Sequence, residues 1–190
     1  MSRIRTFLAV EVPAGLQQKA AAVVRALGTG QEAIRWVDPQ NIHVTVKFLG
    51  DVEDAEIYEV CRVTAEAIAD LQPFRVACRG VGAFPNPQRA RTVWLGIDDS
   101  AGNFEQLHRR VDDALARLRY PREVRRFQPH LTLGRVRHGK RPAADLTARI
   151  REQADVELGE IDVDELTVFS SELTPDGPVY TALSHAPLAG

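Results

Sequence analysis

Apolar positions along the chain switch repeatedly between a period of two and a period near 3.6. Residues 3–12 (Arg-Ile-Arg-Thr-Phe-Leu-Ala-Val-Glu-Val) concentrate β-formers and predict a buried strand. Pro13 sits where a helix can begin. Leu16, Ala20, Val23, Val24 and Leu27 then recur at helical spacing, and Gly28 can end that helix. Residues 34–37 predict a short strand, Asp38-Pro39 a turn, and residues 42–49 a strand closing at Gly50. Asp51 is placed to cap a helix whose face carries Ile57, Val60, Cys61, Thr64 and Ile68. Residues 74–84 and 91–97 predict two strands joined across Pro85-Asn86-Pro87. Phe104, Leu107, Val111, Leu115 and Leu118 mark another amphipathic helix. A strand over 130–136, a helix over 143–154, a strand near 161–169 and a last strand near 178–186 complete the pattern.

Strands and helices alternate with hairpins among them, which predicts an α+β fold of mainly antiparallel sheet rather than a doubly wound parallel one. No linker or low-complexity segment divides the 190 residues, so residues 1–190 are expected to form a single domain, with at most two lobes on one core. Hydrophobic residues make up 44% and charged residues 26%, enough apolar mass for a core and too much for disorder. No apolar run approaches the roughly 18 residues of a membrane span, and the N-terminal segment lacks the form of a signal peptide; a cytoplasmic protein is expected. Cys61 and Cys78 are too few and too far apart for a disulfide framework or a zinc site, and are expected as small buried hydrophobes in a reducing compartment.

Charge changes this picture only by its distribution. The net charge of −2 gives no global pull toward nucleic acid. Residues 75–141, however, carry 15 basic against 6 acidic side chains, and residues 142–190 carry 2 against 10. The middle third could therefore present a basic surface to phosphate, or simply solvated helix faces.

The chemistry lies in one internal repeat. His43-Val44-Thr45-Val46 and His130-Leu131-Thr132-Leu133 share the pattern His-apolar-Thr-apolar, each within a strand-like run. Side chains alternate across a strand, so each motif buries two apolar groups on one face and presents an imidazole beside a hydroxyl on the other. Two similar half-chains could pack with these polar faces meeting in a cleft. There, one neutral imidazole could take a proton from water and one protonated imidazole could give a proton to a departing ribose oxygen. The threonine hydroxyls could bond the non-bridging oxygens of a phosphate. No third histidine or close carboxylate stands at ligand spacing from either motif, so no metal is expected. Either motif alone reads more readily as a strand histidine beside a threonine chosen for β-propensity; the matched pair carries the argument.

With those residues in hand, the sequence resembles the RNA 2′,3′-cyclic phosphodiesterase family, also called the 2′-5′ RNA ligase family, within the two-histidine phosphoesterases. The resemblance runs in order through Arg5-Thr6-Phe7-Leu8-Ala9-Val10, Arg35-Trp36-Val37 and Asn41-Ile42-His43-Val44-Thr45-Val46-Lys47-Phe48-Leu49-Gly50. It continues through Gly82-Ala83-Phe84-Pro85, Thr92-Val93-Trp94-Leu95-Gly96 and Phe127-Gln128-Pro129-His130-Leu131-Thr132-Leu133-Gly134-Arg135. It ends at Ser171-Glu172-Leu173 and Gly177-Pro178-Val179-Tyr180. The resemblance implies a bilobal fold with pseudo-twofold symmetry and the site between the lobes. It implies cofactor-free hydrolysis of an RNA-terminal 2′,3′-cyclic phosphate to a 2′-phosphate, with His43 as proton donor, His130 as acceptor, and Thr45, Thr132 and Arg135 on the phosphate.

Strict alternation places Arg135 on the face opposite His130, so its role requires a bulge or strand end at Gly134. Lys47 has the parity of His43 and Thr45 but, at a strand end, is expected in solvent. Phe7, Phe48 and Trp94 are candidates for stacking on a base, although aromatic residues more often fill cores. His108, His138 and His185 are expected at the surface or at segment ends. The same catalytic residues would serve ATP-independent 2′-5′ ligation run through the same site, and a non-catalytic RNA-end binding module is the alternative of a different class. RNA ends or nucleoside 2′,3′-cyclic phosphates are the expected partners, with no membrane, no partner protein, and a monomer.

Overall fold

Each amphipathic stretch buries the stripe that its spacing defines. The computed structural model describes residues 2–28, 32–175 and 177–189. Helix α1 (Ala14–Gly28) buries Leu16, Ala20, Val23 and Leu27, and α2 (Ile57–Ile68) buries Val60, Thr64 and Ile68. Helix α3 (Asn103–Ala116) buries Phe104, Leu107, Val111 and Leu115. At about 1.5–3 kcal/mol for each large apolar side chain, that burial rather than intrinsic propensity holds α3 in place. Its first turn is closed by Asp99, whose carboxylate accepts the backbone N–H groups of Phe104 and Glu105 at 3.0 Å. A fourth helix, α4, spans Leu146–Glu152.

The strands are β1 (Arg3–Glu11), β2 (Ile34–Trp36), β3 (His43–Glu53), β4 (Phe74–Phe84) and β5 (Thr92–Asp98), followed by β6 (His130–Val136), β7 (Glu157–Val163), β8 (Glu165–Thr174) and β9 (Gly177–Pro187). Among the described residues they form one nine-stranded sheet in the order β7-β4-β5-β6-β3-β1-β8-β9, with β2 paired to β6. Every pairing is antiparallel. The order is symmetric about its middle. Two four-strand halves, β7-β4-β5-β6 and β3-β1-β8-β9, meet where Val44 of β3 pairs with Leu131 of β6. Helices α1 and α4 pack on the first half and α2 and α3 on the second. This is the expected bilobal, mainly antiparallel α+β architecture.

Several elements depart from the sequence pattern. The lobes are not half-chains: β1, β3, β8 and β9 build one half and β2, β4, β5, β6 and β7 the other, so the chain crosses between them repeatedly. Strand β3 does not close at Gly50. That residue takes φ +75°, a conformation open to glycine, and the strand goes on pairing with β1 to Glu53. Asp51 consequently lies in the strand opposite Arg5 and caps nothing; a 3₁₀ turn at Asp54–Glu56 leads into α2 instead. The single strand expected near 161–169 is two. Asp164 alone separates β7, which pairs with β4, from β8, which pairs with β1 in the other half. Helix α4 is shorter than the expected 143–154, because Leu146 and Ile150 are the only buried anchors it offers.

Candidate active site

The seam between the halves determines the site. Val44 and Leu131 are opposite one another and fully buried on the helix-covered face. Continuing their antiparallel register sets His43 across from Thr132 and Thr45 across from His130, all four on the other face. The two motifs thus meet side by side, related by the local twofold of the seam.

Both imidazoles are anchored in the same way. His43 Nδ1 lies 2.8 Å from the carbonyl of Asn41, and His130 Nδ1 lies 2.7 Å from the carbonyl of Gln128. A carbonyl only accepts, so each Nδ1 carries the hydrogen and each Nε2 is left for chemistry. His43 Nε2 is 3.0 Å from Thr45 Oγ1, which donates to it when the ring is neutral. Asn41 is itself held, its Nδ2 donating to the Pro178 carbonyl at 3.0 Å. The neighbouring turn is fixed by Asp38, whose carboxylate accepts the Gln40 N–H at 3.2 Å. These carbonyl anchors are backbone features with no side-chain signal in the sequence.

Both motif strands then bulge at the same place. In β3, Thr45 pairs with Ala9 and Lys47 with Leu8, leaving Val46 as the extra residue. In β6, Thr132 pairs with Trp94 and Gly134 with Val93, leaving Leu133 extra. Each bulge reverses the side-chain alternation beyond it. Arg135 therefore turns to the site side, lining the cleft cavity with Thr92 Oγ1 3.4 Å from its Nη1. Gly134 is what makes this possible: a Cβ there would come within 2.6 Å of the Trp36 ring and 2.8 Å of Ile34. The equivalent bulge sends Lys47 the other way. It is 1% exposed, ion-paired with Asp112 of α3, and donates to the Pro121 carbonyl at 2.9 Å. The expectation of a solvated Lys47 sharing the histidine face is thus corrected. Phe48, at the position equivalent to Arg135, points into the cavity and is 54% exposed.

The remaining candidates separate clearly. Phe7 is 2% exposed and sandwiched, stacked on His43 at 4.9 Å and on Phe169 at 5.3 Å. Both its faces are taken, so it backs the imidazole and has none to offer a base. Trp94 is half-buried, the cross-strand partner of Thr132, and packs on Phe84 at 5.2 Å and over Gly82. His108 is not a surface residue: it is buried, stacked on Phe127 at 4.3 Å, and burial lowers its pKa. Tyr180, which pattern and spacing did not single out, meets the His43 ring edge-on at 5.4 Å.

Burial sets the electrostatics of the pair. His43 is pushed down from 6.5 to about 4, chiefly by loss of water; the Asn41 carbonyl opposes this, and Arg135 and His130 add repulsion. His130 is also lowered, again chiefly by burial, with the Gln128 carbonyl opposing and Arg135 reinforcing. Both rings are therefore neutral in the free protein at neutral pH. The site fits an incoming anion, which would cancel the Arg135 field and favour imidazolium. Beside the pair lies a cavity of about 1030 Å³, lined by β1, α1, β2, the turn after it and the β8–β9 hairpin. Elsewhere Glu11, Glu165 and His185 bring their ligand atoms within 4.8 Å of one another, but His185 Nδ1 is already bonded to Glu165 at 2.9 Å and neither motif histidine takes part. Among the described residues no helix is long and apolar enough to cross a membrane.

Two His-x-Thr strands joined at a seam within a split antiparallel sheet define a two-histidine phosphoesterase architecture. Known proteins of similar sequence and fold agree. The 2′-5′ RNA ligase superfamily description matches residues 17–174, and the chain belongs to that superfamily. It is 36% identical over 179 residues to the RNA 2′,3′-cyclic phosphodiesterase of Methanothermobacter thermautotrophicus, covering 94% of this chain and 96% of that protein. It is 33% identical over 180 residues to the RNA 2′,3′-cyclic phosphodiesterase of Archaeoglobus fulgidus, covering 95% and 98%. Among solved structures, TT0787 of Thermus thermophilus superposes with a TM-score of 0.76 at 28% identity, covering 98% of this chain and 99% of that one. Escherichia coli LigT complexed with 3′-AMP superposes with a TM-score of 0.80 at 23% identity, covering 100% of each chain, a likeness of fold.

Proposed function

We propose that this protein hydrolyses RNA-terminal 2′,3′-cyclic phosphate to a 2′-phosphomonoester. The observation that carries the reading is the Val44–Leu131 seam, which puts two carbonyl-anchored imidazoles and two threonines on one face. The names and coverage of the relatives support the substrate class. In this mechanism His130 Nε2 takes a proton from water as its oxygen bonds to phosphorus. The bond from phosphorus to the 3′ oxygen breaks, and that oxygen receives a proton from His43 Nε2. Thr45 and Thr132 bond the non-bridging oxygens, and Arg135 stabilises their charge. Because His43 is neutral in the free protein, it gains its proton as the anion binds. The assignment of donor and acceptor follows the family pattern; the geometry of the two rings is near-symmetric. No step calls on a metal or nucleotide, and the two lobes act as one domain, working on RNA ends in the cytoplasm.

The test is incubation of purified protein with nucleoside 2′,3′-cyclic phosphates in EDTA, the product position being read by phosphorus NMR. A 2′-phosphate is expected, with His43→Ala and His130→Ala each losing several orders of magnitude in turnover. Full activity in either variant, or activity lost to EDTA and restored by metal, would sink the proposal.

A further inference from the structure

The cavity beside the histidines holds an arrangement that a sheet does not tolerate without a reason. Arg35 of β2 and Arg135 of β6 are directly opposite partners in an antiparallel pair. Such partners share a face with Cα atoms about 4.5–5.5 Å apart, and like charges in that relation are destabilising. No ion pair offsets it. Arg5, Arg25, Arg35 and Arg135 all line the cavity, and among the described residues none of them forms an ion pair; Arg5 alone has a carboxylate, Asp51, as its cross-strand partner. Asp38 is the one acid among the described lining residues, and its carboxylate accepts the Gln40 N–H. Elsewhere on the surface Arg62, Arg75, Arg79, Arg110 and Arg122 each pair with an aspartate or glutamate, while others such as Arg109 and Arg117 stand singly in solvent among the described residues. What sets the cavity apart is that two of its arginines are direct cross-strand partners.

The guanidiniums also converge. Burial pushes the Tyr180 hydroxyl up, and Arg135, Arg5 and Arg35 oppose that shift; its ring, which lines the cavity with them, meets His43 edge-on at 5.4 Å. The basic cavity thus adjoins the histidine pair through Asn41, Phe7 and Tyr180, which line it and touch His43. Its volume of about 1030 Å³ sits at the upper limit of ordinary ligand pockets, roughly 300–1,000 Å³, and exceeds what a cyclic phosphate and its ribose require. Phe48 adds a half-exposed aromatic surface to the same space.

We infer that Arg35, with Arg5, holds a second phosphate of the substrate, on the 5′ side of the cyclised ribose, while Arg135 attends the phosphate under attack. This rests on the cyclic-phosphodiesterase reading and narrows it. The preferred substrate is a nucleotide unit that carries a 5′ phosphate as well as the cyclic one. A strand end and a free 5′-phosphorylated nucleotide share that chemistry. A planar guanidinium offers a bidentate, charge-assisted grip on a phosphate, and the anion supplies the countercharge that the Arg35–Arg135 pair lacks.

The test separates binding from turnover. Calorimetry would compare adenosine 2′-monophosphate with adenosine 2′,5′-bisphosphate on the wild-type protein, Arg35→Gln and Arg5→Gln. The wild type is expected to favour the bisphosphate by about tenfold or more, as a charge-assisted bond predicts. Each variant should lose about tenfold more affinity for the bisphosphate than for the monophosphate. Arg5 lies in the long strand β1, so its variant carries the test should β2 fail to form in Arg35→Gln. Equal affinity for the two ligands in the wild type, or equal losses on both in the variants, would overturn the inference. Turnover then distinguishes the sources. A lower KM for both a 5′-phosphorylated nucleoside cyclic phosphate and a cyclic-phosphate-terminated dinucleotide, relative to the 5′-hydroxyl nucleoside, identifies a phosphate site. The same gain for the dinucleotide alone identifies a strand site. Turnover without any 5′ discrimination defeats this inference and leaves the hydrolysis reading standing. Discrimination in binding with no turnover of any cyclic phosphate does the reverse.

Discussion

Two histidines tuned by burial are useful only if the substrate retunes them. In the free protein His43 is held near 4 and His130 below 6.5. Acid–base catalysis needs one ring protonated and one neutral. Because His43 is the more depressed ring, the form with the proton on His43 and His130 neutral is a minor one in the free protein, and it is most abundant where a single proton is shared by the pair. Above about pH 6.5 both rings are neutral, and below about 4 both are charged. The expected kcat/KM profile, which reports the free protein, therefore peaks on the acid side of 6.5. A bound phosphate adds negative charge beside both rings and neutralises Arg135, which raises both values. The kcat profile, which reports the complex, should accordingly peak at higher pH. Initial rates from about pH 4 to about pH 9 on a nucleoside cyclic phosphate check this, and superimposable profiles centred above about pH 7 would refute it. At this scale spacing alone singles out His43, Thr45, His130 and Thr132 as candidates, and the Val44–Leu131 seam brings their strands together. It could not reveal that Lys47 is buried against Asp112 or that Phe7 is sandwiched, because both depend on partners far along the chain.

The element that converts the motif into a site is the bulge. Strands β3 and β6 both carry an extra residue at the fourth motif position, and both change which face the next side chains meet. The outcomes differ because the residues beyond each bulge differ. In β3 the reversed alternation buries Lys47 and exposes Phe48; in β6 it seats Gly134 against Trp36 and turns Arg135 inward. The cleft thus has an aromatic side and a cationic side built on one repeated geometry. Gly134→Ala should push Trp36 and Ile34 off the β6 surface, since the new Cβ would lie 2.6 Å from one and 2.8 Å from the other. Overpacking of this kind costs typically about 1–3 kcal/mol. It should also misplace Arg135, so that kcat/KM falls while the two histidines keep their carbonyl anchors. Thermal melts and steady-state rates on the purified variant measure both, and unchanged values would show that β2 yields freely. The bulge could be suspected from Gly134 but not located, because a period-2 pattern does not register one extra residue. The same blindness merged β7 and β8, whose alternation runs on through Asp164 while the chain passes from one half of the sheet to the other.

On the scale of the whole molecule, the sequence suggested a repeat and the chain turned out to be interleaved. Segment charge misled for the same reason. Residues 75–141 are the basic third, yet three of the four cavity arginines, Arg5, Arg25 and Arg35, come from the first third, while four of the fifteen basic residues of the middle third, Arg75, Arg79, Arg110 and Arg122, pair with carboxylates instead. A surface assembled from four distant elements has no contiguous trace in the sequence. Interleaving also bears on stability. Neither half of the sheet is formed by a continuous segment: β1 must reach across to β3 and β8, and β4 and β5 lie between α2 and α3, which belong to the other half. The halves share the Val44–Leu131 seam and a continuous buried core. Unfolding one half would pull strands and helices out of the other, so the chain should melt as one cooperative unit. The two tryptophans make this measurable, because Trp36 in β2 and Trp94 in β5 both report the same half. Far-UV circular dichroism reports helices and strands of both. Urea transitions followed by tryptophan fluorescence and by circular dichroism are expected to coincide in midpoint and slope. A fluorescence midpoint displaced from the dichroism midpoint would mean that the halves unfold separately, and that the catalytic seam is an interface between two independent units rather than the middle of one sheet.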